Sequence, residues 1–142
     1  MQDFTPIKDD ILGKDYILSL AFVSSKKSQE VNRTYRKKDR PTNVLSFAFD
    51  KKNGELLLCK PVIREEAKKL GKTFDAWLTF LVIHGLLHLK GMDHSATMER
   101  AEKKYSAQYI YFDDQEHNSG NRHRILHNAS RGRRISKGRQ KS

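Results

Sequence analysis

Apolar positions along this chain change their spacing several times, and each change marks an element. Tyr16 to Val23 (YILSLAFV) joins aromatic, leucine and β-branched residues and stops at Ser24 and Ser25, which predicts a strand. Lys26 to Tyr35 is polar, with Val31 and Tyr35 four apart, and predicts a short surface helix. The charged stretch Arg36 to Thr42 is a loop containing Pro41, and Val44 to Phe49 (VLSFAF) is a second strand. Lys51 to Gly54 contains an Asn-Gly pair, a strong hairpin signal, so Glu55 to Lys60 is expected to return antiparallel. The first 15 residues have no decided period.

Pro61 suits a helix start; Val62, Ile63, Ala67 and Leu70 follow at helical spacing before Gly71 stops them. Thr73 to Leu89 carries Phe74, Trp77, Leu78, Leu81, Val82, Leu86 and Leu89 around most of its circumference, as a central, buried helix does. Gly91 ends it. Ala96 to Tyr111 is a last helix, with Met98, Ala101, Tyr105 and Tyr109 along one side.

Composition narrows the class. The 142 residues suffice for one domain with a real core and are too few for two. No apolar run approaches the ~20 residues of a membrane span. Met1 to Asp10 lacks the apolar core of a signal peptide. The single cysteine, Cys59, cannot form an internal disulfide, which fits a reducing cytoplasm, and reads as a strand residue. Net charge is +11 and unevenly placed. All 17 acids precede Gly120, and residues 120–142 hold eight basic residues and no acid, Arg131, Arg133 and Arg134 among them. The expected division is a domain over 1–119 and a basic, disordered tail over 120–142. Such a tail suits a polyanion, RNA before others, and equally a solvated end without a specific partner.

The sharpest chemical signal is His84-Gly-Leu-Leu-His88-Leu-Lys-Gly91-Met-Asp93-His94. On a helix, four residues advance roughly 400°, so His84 and His88 share a face. Gly91 can take positive φ and turn the chain so that His94 joins them. Three imidazoles leave the fourth position of a tetrahedral Zn2+ open to water, the plan of a catalytic site. Lone histidines on helices are usually structural, but two on an apolar helix each need polar partners, and a third after a glycine turn makes coincidence a poor account. The spacing matches the metzincin pattern, with Gly85 where the metalloprotease has its glutamate base. A peptidase acting by that mechanism is disfavoured.

A second block, Asn32-Arg-Thr-Tyr35-Arg36-Lys-Lys-Asp39-Arg-Pro41-Thr42-Asn43-Val44-Leu45-Ser46-Phe47, leads into the second strand. With HGLLHLKGMDH, in which only Met92 departs from the pattern, and with Gly54-Glu55-Leu56-Leu57, it resembles the YbeY family of endoribonucleases, over roughly residues 16–112. The resemblance implies an α+β fold: a small, mostly four-stranded mixed sheet with a metzincin-like zinc helix packed on it. It implies single-strand-specific RNA cleavage in rRNA maturation, especially at the small-subunit 3′ end, and a link to ribosome quality control. It assigns one Zn2+ to His84, His88 and His94, and the family's arginine to Arg36.

Arg36 is then expected to grip the scissile phosphate through two parallel hydrogen bonds. Asp93 is a candidate to orient a ligand imidazole, or else to cap the last helix near Ser95. Lys37, Lys38, Arg40, Lys90 and the tail form a candidate RNA track. Tyr35, Phe47 and Trp77 can stack on bases, although Phe47 and Trp77 read first as core. Two other classes compete: a zinc-dependent peptidase-like hydrolase, and a non-catalytic RNA-binding ribosome-assembly factor whose zinc is structural. A fourth protein ligand would mark the latter.

Overall fold

The computed structural model describes residues 2–117, with side chains to Ile110. The order is α1 (Thr5–Leu12), β1 (Ile17–Val23), α2 (Ser25–Arg36), β2 (Val44–Asp50), β3 (Asn53–Cys59), α3 (Lys60–Leu70), α4 (Phe74–Leu89) and α5 (Ala96–His117). The expected tail lies outside the described residues.

Among the described residues the sheet has three strands in the order β1-β3-β2, β1 parallel and β2 antiparallel to β3. It is mixed, as expected, but not four-stranded. The undecided first 15 residues contain a helix instead: Pro6 occupies its first turn, and Ile7 and Ile11, four apart, enter the core. The hairpin also departs from expectation. Asn53-Gly54 opens β3 rather than forming the turn. The Asp50 carboxylate accepts from the Lys52 N–H at 2.8 Å and from Asn53 Nδ2, so an aspartate turn places the reversal at Lys51-Lys52.

β3 is the buried centre. Leu56 and Leu58 face the helices with no exposed surface, while Glu55 and Leu57 turn to the other side. Helix α4 lies on β2 and β3 and is flanked by α1, α3 and α5. Every residue from Ala76 to Leu87 is buried, because each side of the helix meets another element. Burying one such Leu or Ile is worth about 1.5–3 kcal/mol, so this helix anchors the fold. Thr73 starts it, its side chain accepting from the Ala76 N–H at 3.0 Å. Cys59 is fully buried at the end of β3.

Helix α2 follows another logic. Its buried residues are Ser28 and Asn32, not Val31 and Tyr35. Ser28 Oγ donates to the Thr42 carbonyl and accepts from the Thr42 N–H, both at 2.9 Å. Asn32 Nδ2 donates to the Arg40 carbonyl at 2.9 Å, and Asp39 meets Gln29 and Arg33. A polar stripe thus fastens the charged loop that leads into β2. No helix among the described residues is long and apolar enough to cross a membrane.

Candidate metal centre and cleft

Three turns of chain geometry bring the histidines together. His84 and His88 lie one above the other on α4, with ring centroids 4.5 Å apart. The helix then closes with a Schellman turn: Gly91 takes φ 103°, its N–H bonds to the His88 carbonyl, and the Met92 N–H bonds to the Leu87 carbonyl. This reversal returns His94 to within 5.4 Å of His84 and 4.7 Å of His88, ring centre to ring centre. One ligand atom from each histidine lies within 4.8 Å of the others. Among the described residues, that group comprises these three side chains.

Hydrogen bonds on the far side of two rings decide what the near nitrogens offer. His84 Nδ1 lies 2.5 Å from the Glu102 carboxylate, and His88 Nδ1 lies 3.1 Å from the Met92 carbonyl. Both partners are acceptors, so each Nδ1 carries the proton and each Nε2 presents a lone pair. Those two Nε2 atoms are 3.1 Å apart. Lone pairs facing one another at that distance repel unless a cation or an extra proton lies with them. Burial, followed by the neighbouring His94, lowers the pKa of His88 and disfavours an extra proton on that ring. A metal ion satisfies the arrangement. Nitrogen ligands at about 2.0–2.1 Å from zinc stand roughly 3.3 Å apart in a tetrahedron, close to the spacing present.

Glu102 is absent from the candidates that the sequence offers. It is 4% exposed on α5, where it holds His84. A usable signal existed: Glu102 lies one turn beyond Met98, so it places an acid on the stripe read as apolar, and a buried acid needs a partner. Asp93 is exposed, and its charge reaches His88 only as a minor influence. The cap of α5 is Ser95 itself, which accepts from the Met98 N–H at 3.3 Å.

The histidines open onto a cleft of about 480 Å³, also lined by Tyr35, Arg36, Thr42, Asn43, Val44, Leu45, Ser46 and Phe47. Ligand clefts commonly have this size. The two sequence blocks therefore meet at one place. Arg36 is the last residue of α2 rather than part of the loop. Asn43 is a wall residue: its Nδ2 donates to Glu66 at 3.0 Å and its Oδ1 accepts from the Val44 N–H. Glu66 also accepts from Trp77 Nε1 at 2.9 Å. Trp77 is core, 1% exposed, while half-buried Phe47 lies on the cleft. Lys37, Arg40 and Lys90 are exposed and Lys38 is half-buried, and none of the four lines the cleft. Arg131, Arg133 and Arg134 lie outside the described residues.

Gly85 sits where α4 meets the sheet. A Cβ there would come 2.7 Å from a Leu56 methyl and 3.2 Å from Ser46 Oγ. The position that carries the base of a metalloprotease is closed here by packing.

Comparisons with known proteins show the family. Residues 4–113 match the family model described as Endoribonuclease YbeY. An Endoribonuclease YbeY of Staphylococcus carnosus is 37% identical over 109 residues, covering 68% of this chain and 69% of that protein. One of Aromatoleum aromaticum is 41% identical over 94 residues, covering 64% and 61% respectively. The solution structure of TM1509 from Thermotoga maritima superposes with a TM-score of 0.59 at 31% identity, covering 81% of this chain and 84% of that one. With a matching model across most of its described length, the chain belongs to the YbeY endoribonuclease family of RNA-cleaving hydrolases.

Proposed function

We propose that this chain is a zinc-dependent, single-strand-specific endoribonuclease of the cytoplasm. In this reading it matures rRNA, at the small-subunit 3′ end, and serves ribosome quality control. The observation that carries the proposal is the convergence of three imidazoles, two with their Nδ1 atoms set against acceptor oxygens, in one cleft with Arg36.

The chain's residues divide the work. His84, His88 and His94 hold the cation, and Glu102 and the Met92 carbonyl keep the first two rings in the ligating tautomer. A zinc ion held there supplies Lewis acidity, which makes water a stronger acid and offsets charge at a phosphate. Arg36 binds the scissile phosphate; its planar fork matches two phosphate oxygens and stabilises charge that grows during cleavage. A cation held by these three side chains alone would keep a position open for substrate, the plan of a catalytic site, which favours an enzyme over a structural-zinc assembly factor. The packing around Gly85 weighs against a peptidase.

Zinc-loaded, metal-stripped, His84→Ala and Arg36→Ala proteins, incubated with rRNA precursor and assayed by mapping the ends, test this. Cleavage is expected only in the zinc-loaded wild type, with Arg36→Ala retaining zinc. Full activity in both variants would overturn the assignment.

A further inference from the structure

Tyr35 stands out among the cleft residues that the metal and phosphate chemistry leaves unused. It is 67% exposed, one of three large hydrophobic residues so exposed among those described. The other two, Ile17 and Phe49, lie outside the cleft. Its ring meets Phe47 with centroids 5.3 Å apart and planes at 68°, an edge contact that fixes the ring's direction. Phe47 belongs to β2, so the sheet buttresses the tyrosine from one side. With two-thirds of its surface open, Tyr35 keeps a face for another partner.

The support beneath it is firm. Tyr35 lies in the last turn of α2, which ends at Lys37 in the left-handed conformation with its N–H bonded to the Arg33 carbonyl. The following loop is tied back by Ser28 and Asn32. An aromatic ring with two side-chain torsions, already oriented, loses little freedom when a flat partner arrives. Arg36, the neighbouring residue, lines the same cleft. A ring and a guanidinium on successive residues suit a ligand that has both a flat π face and a phosphate, which is a nucleotide.

We infer that Tyr35, held edge-on by Phe47, is a base-stacking platform for the nucleotide next to the scissile phosphate. The inference rests on the endoribonuclease reading above and adds a positioning residue to it. Stacking demands an unpaired base, so this residue gives the preference for single strands a physical cause. The phenolic hydroxyl has no part in it; only the ring does.

The test measures kcat/KM of the zinc-loaded protein on a single-stranded RNA oligonucleotide and on copies with one abasic site scanned through the positions around the cut. Wild type is expected to lose roughly tenfold or more at one flanking position, the size of a stacking contact. Tyr35→Ala should show a similar loss on intact RNA and no further loss at that abasic position. Tyr35→Phe should stay within about twofold of wild type on all substrates. Unchanged cleavage of intact RNA by Tyr35→Ala would overturn the platform and leave the endoribonuclease reading standing. Equal slowing of intact and abasic RNA by Tyr35→Ala would also overturn it, because the effect would then pass through the fold or Arg36. Failure of the zinc-loaded wild type to cleave any RNA would remove both.

Discussion

Helix α4 and the end of helix α2 both deliver side chains to the cleft, yet different forces hold them. On α4, His84 sits in a run of twelve buried residues and its outer nitrogen is fastened by a buried carboxylate. On α2, Tyr35 and Arg36 are exposed, and what is buried beneath them is a pair of polar side chains, Ser28 and Asn32, holding a loop. The histidine side is therefore part of the core, and damage to it should spread into stability. The α2 side sits on a polar brace, and changes at its exposed residues should affect substrate alone. His94 joins His84 in the histidine cluster but is exposed like Arg36, so it separates the two effects.

The largest expected effect tests that separation. His84→Ala removes a proposed metal ligand and takes the imidazole away from Glu102, a carboxylate 4% exposed. Removing one partner of a buried pair costs about 3–5 kcal/mol. His94→Ala should abolish zinc binding just as completely while leaving the metal-free protein within about 0.5 kcal/mol of wild type, as surface substitutions do. Urea melts of the three metal-stripped proteins read the difference directly. Equal stability in the two variants would show that the core does not depend on the His84–Glu102 pair.

Next in size is the join between α4 and the sheet. Gly85→Ala places a methyl against Leu56, and overpacking of this kind costs about 1–3 kcal/mol. Gly85→Glu should do worse and yield no peptidase activity on a casein substrate. A stable, peptide-cleaving Gly85→Glu protein would mean that the pocket at Leu56 opens more easily than its packing implies.

Much of this was legible in the sequence because period and punctuation agreed. The histidines at spacing four, the glycine that reverses the chain and an α4 apolar around most of its circumference each follow from local rules. Three features did not. The helix over Thr5–Leu12 is only eight residues long, and its two buried isoleucines are too few to make a period. The tight turn depends on the Asp50 side chain, which outcompeted the Asn-Gly signal. Glu102 is far from the histidines along the chain, and its pairing with His84 is a tertiary fact. The sequence offers Asp93, beside His94, as a candidate to orient a ligand imidazole or to cap the last helix, because neighbours along the chain are the only neighbours that a sequence displays.

Glu102 and Asp93 give the finest version of the comparison. Both are carboxylates near the histidine cluster, one buried with 2.5 Å contact and one exposed. Glu102→Gln keeps the shape but replaces the charged acceptor with an amide, which weakens the basicity and orientation of His84. Partners of this kind are typically worth 10–100-fold in metal affinity. Asp93→Asn removes a charge that solvent already screens, so its effect should stay below about 1 kcal/mol, the range for exposed charge pairs. Competition of each variant for zinc against a chromophoric chelator resolves the two. Comparable losses would place Asp93 on equal footing with Glu102. A loss confined to Glu102→Gln would mean that burial, rather than proximity along the chain, selects the carboxylate that tunes the site.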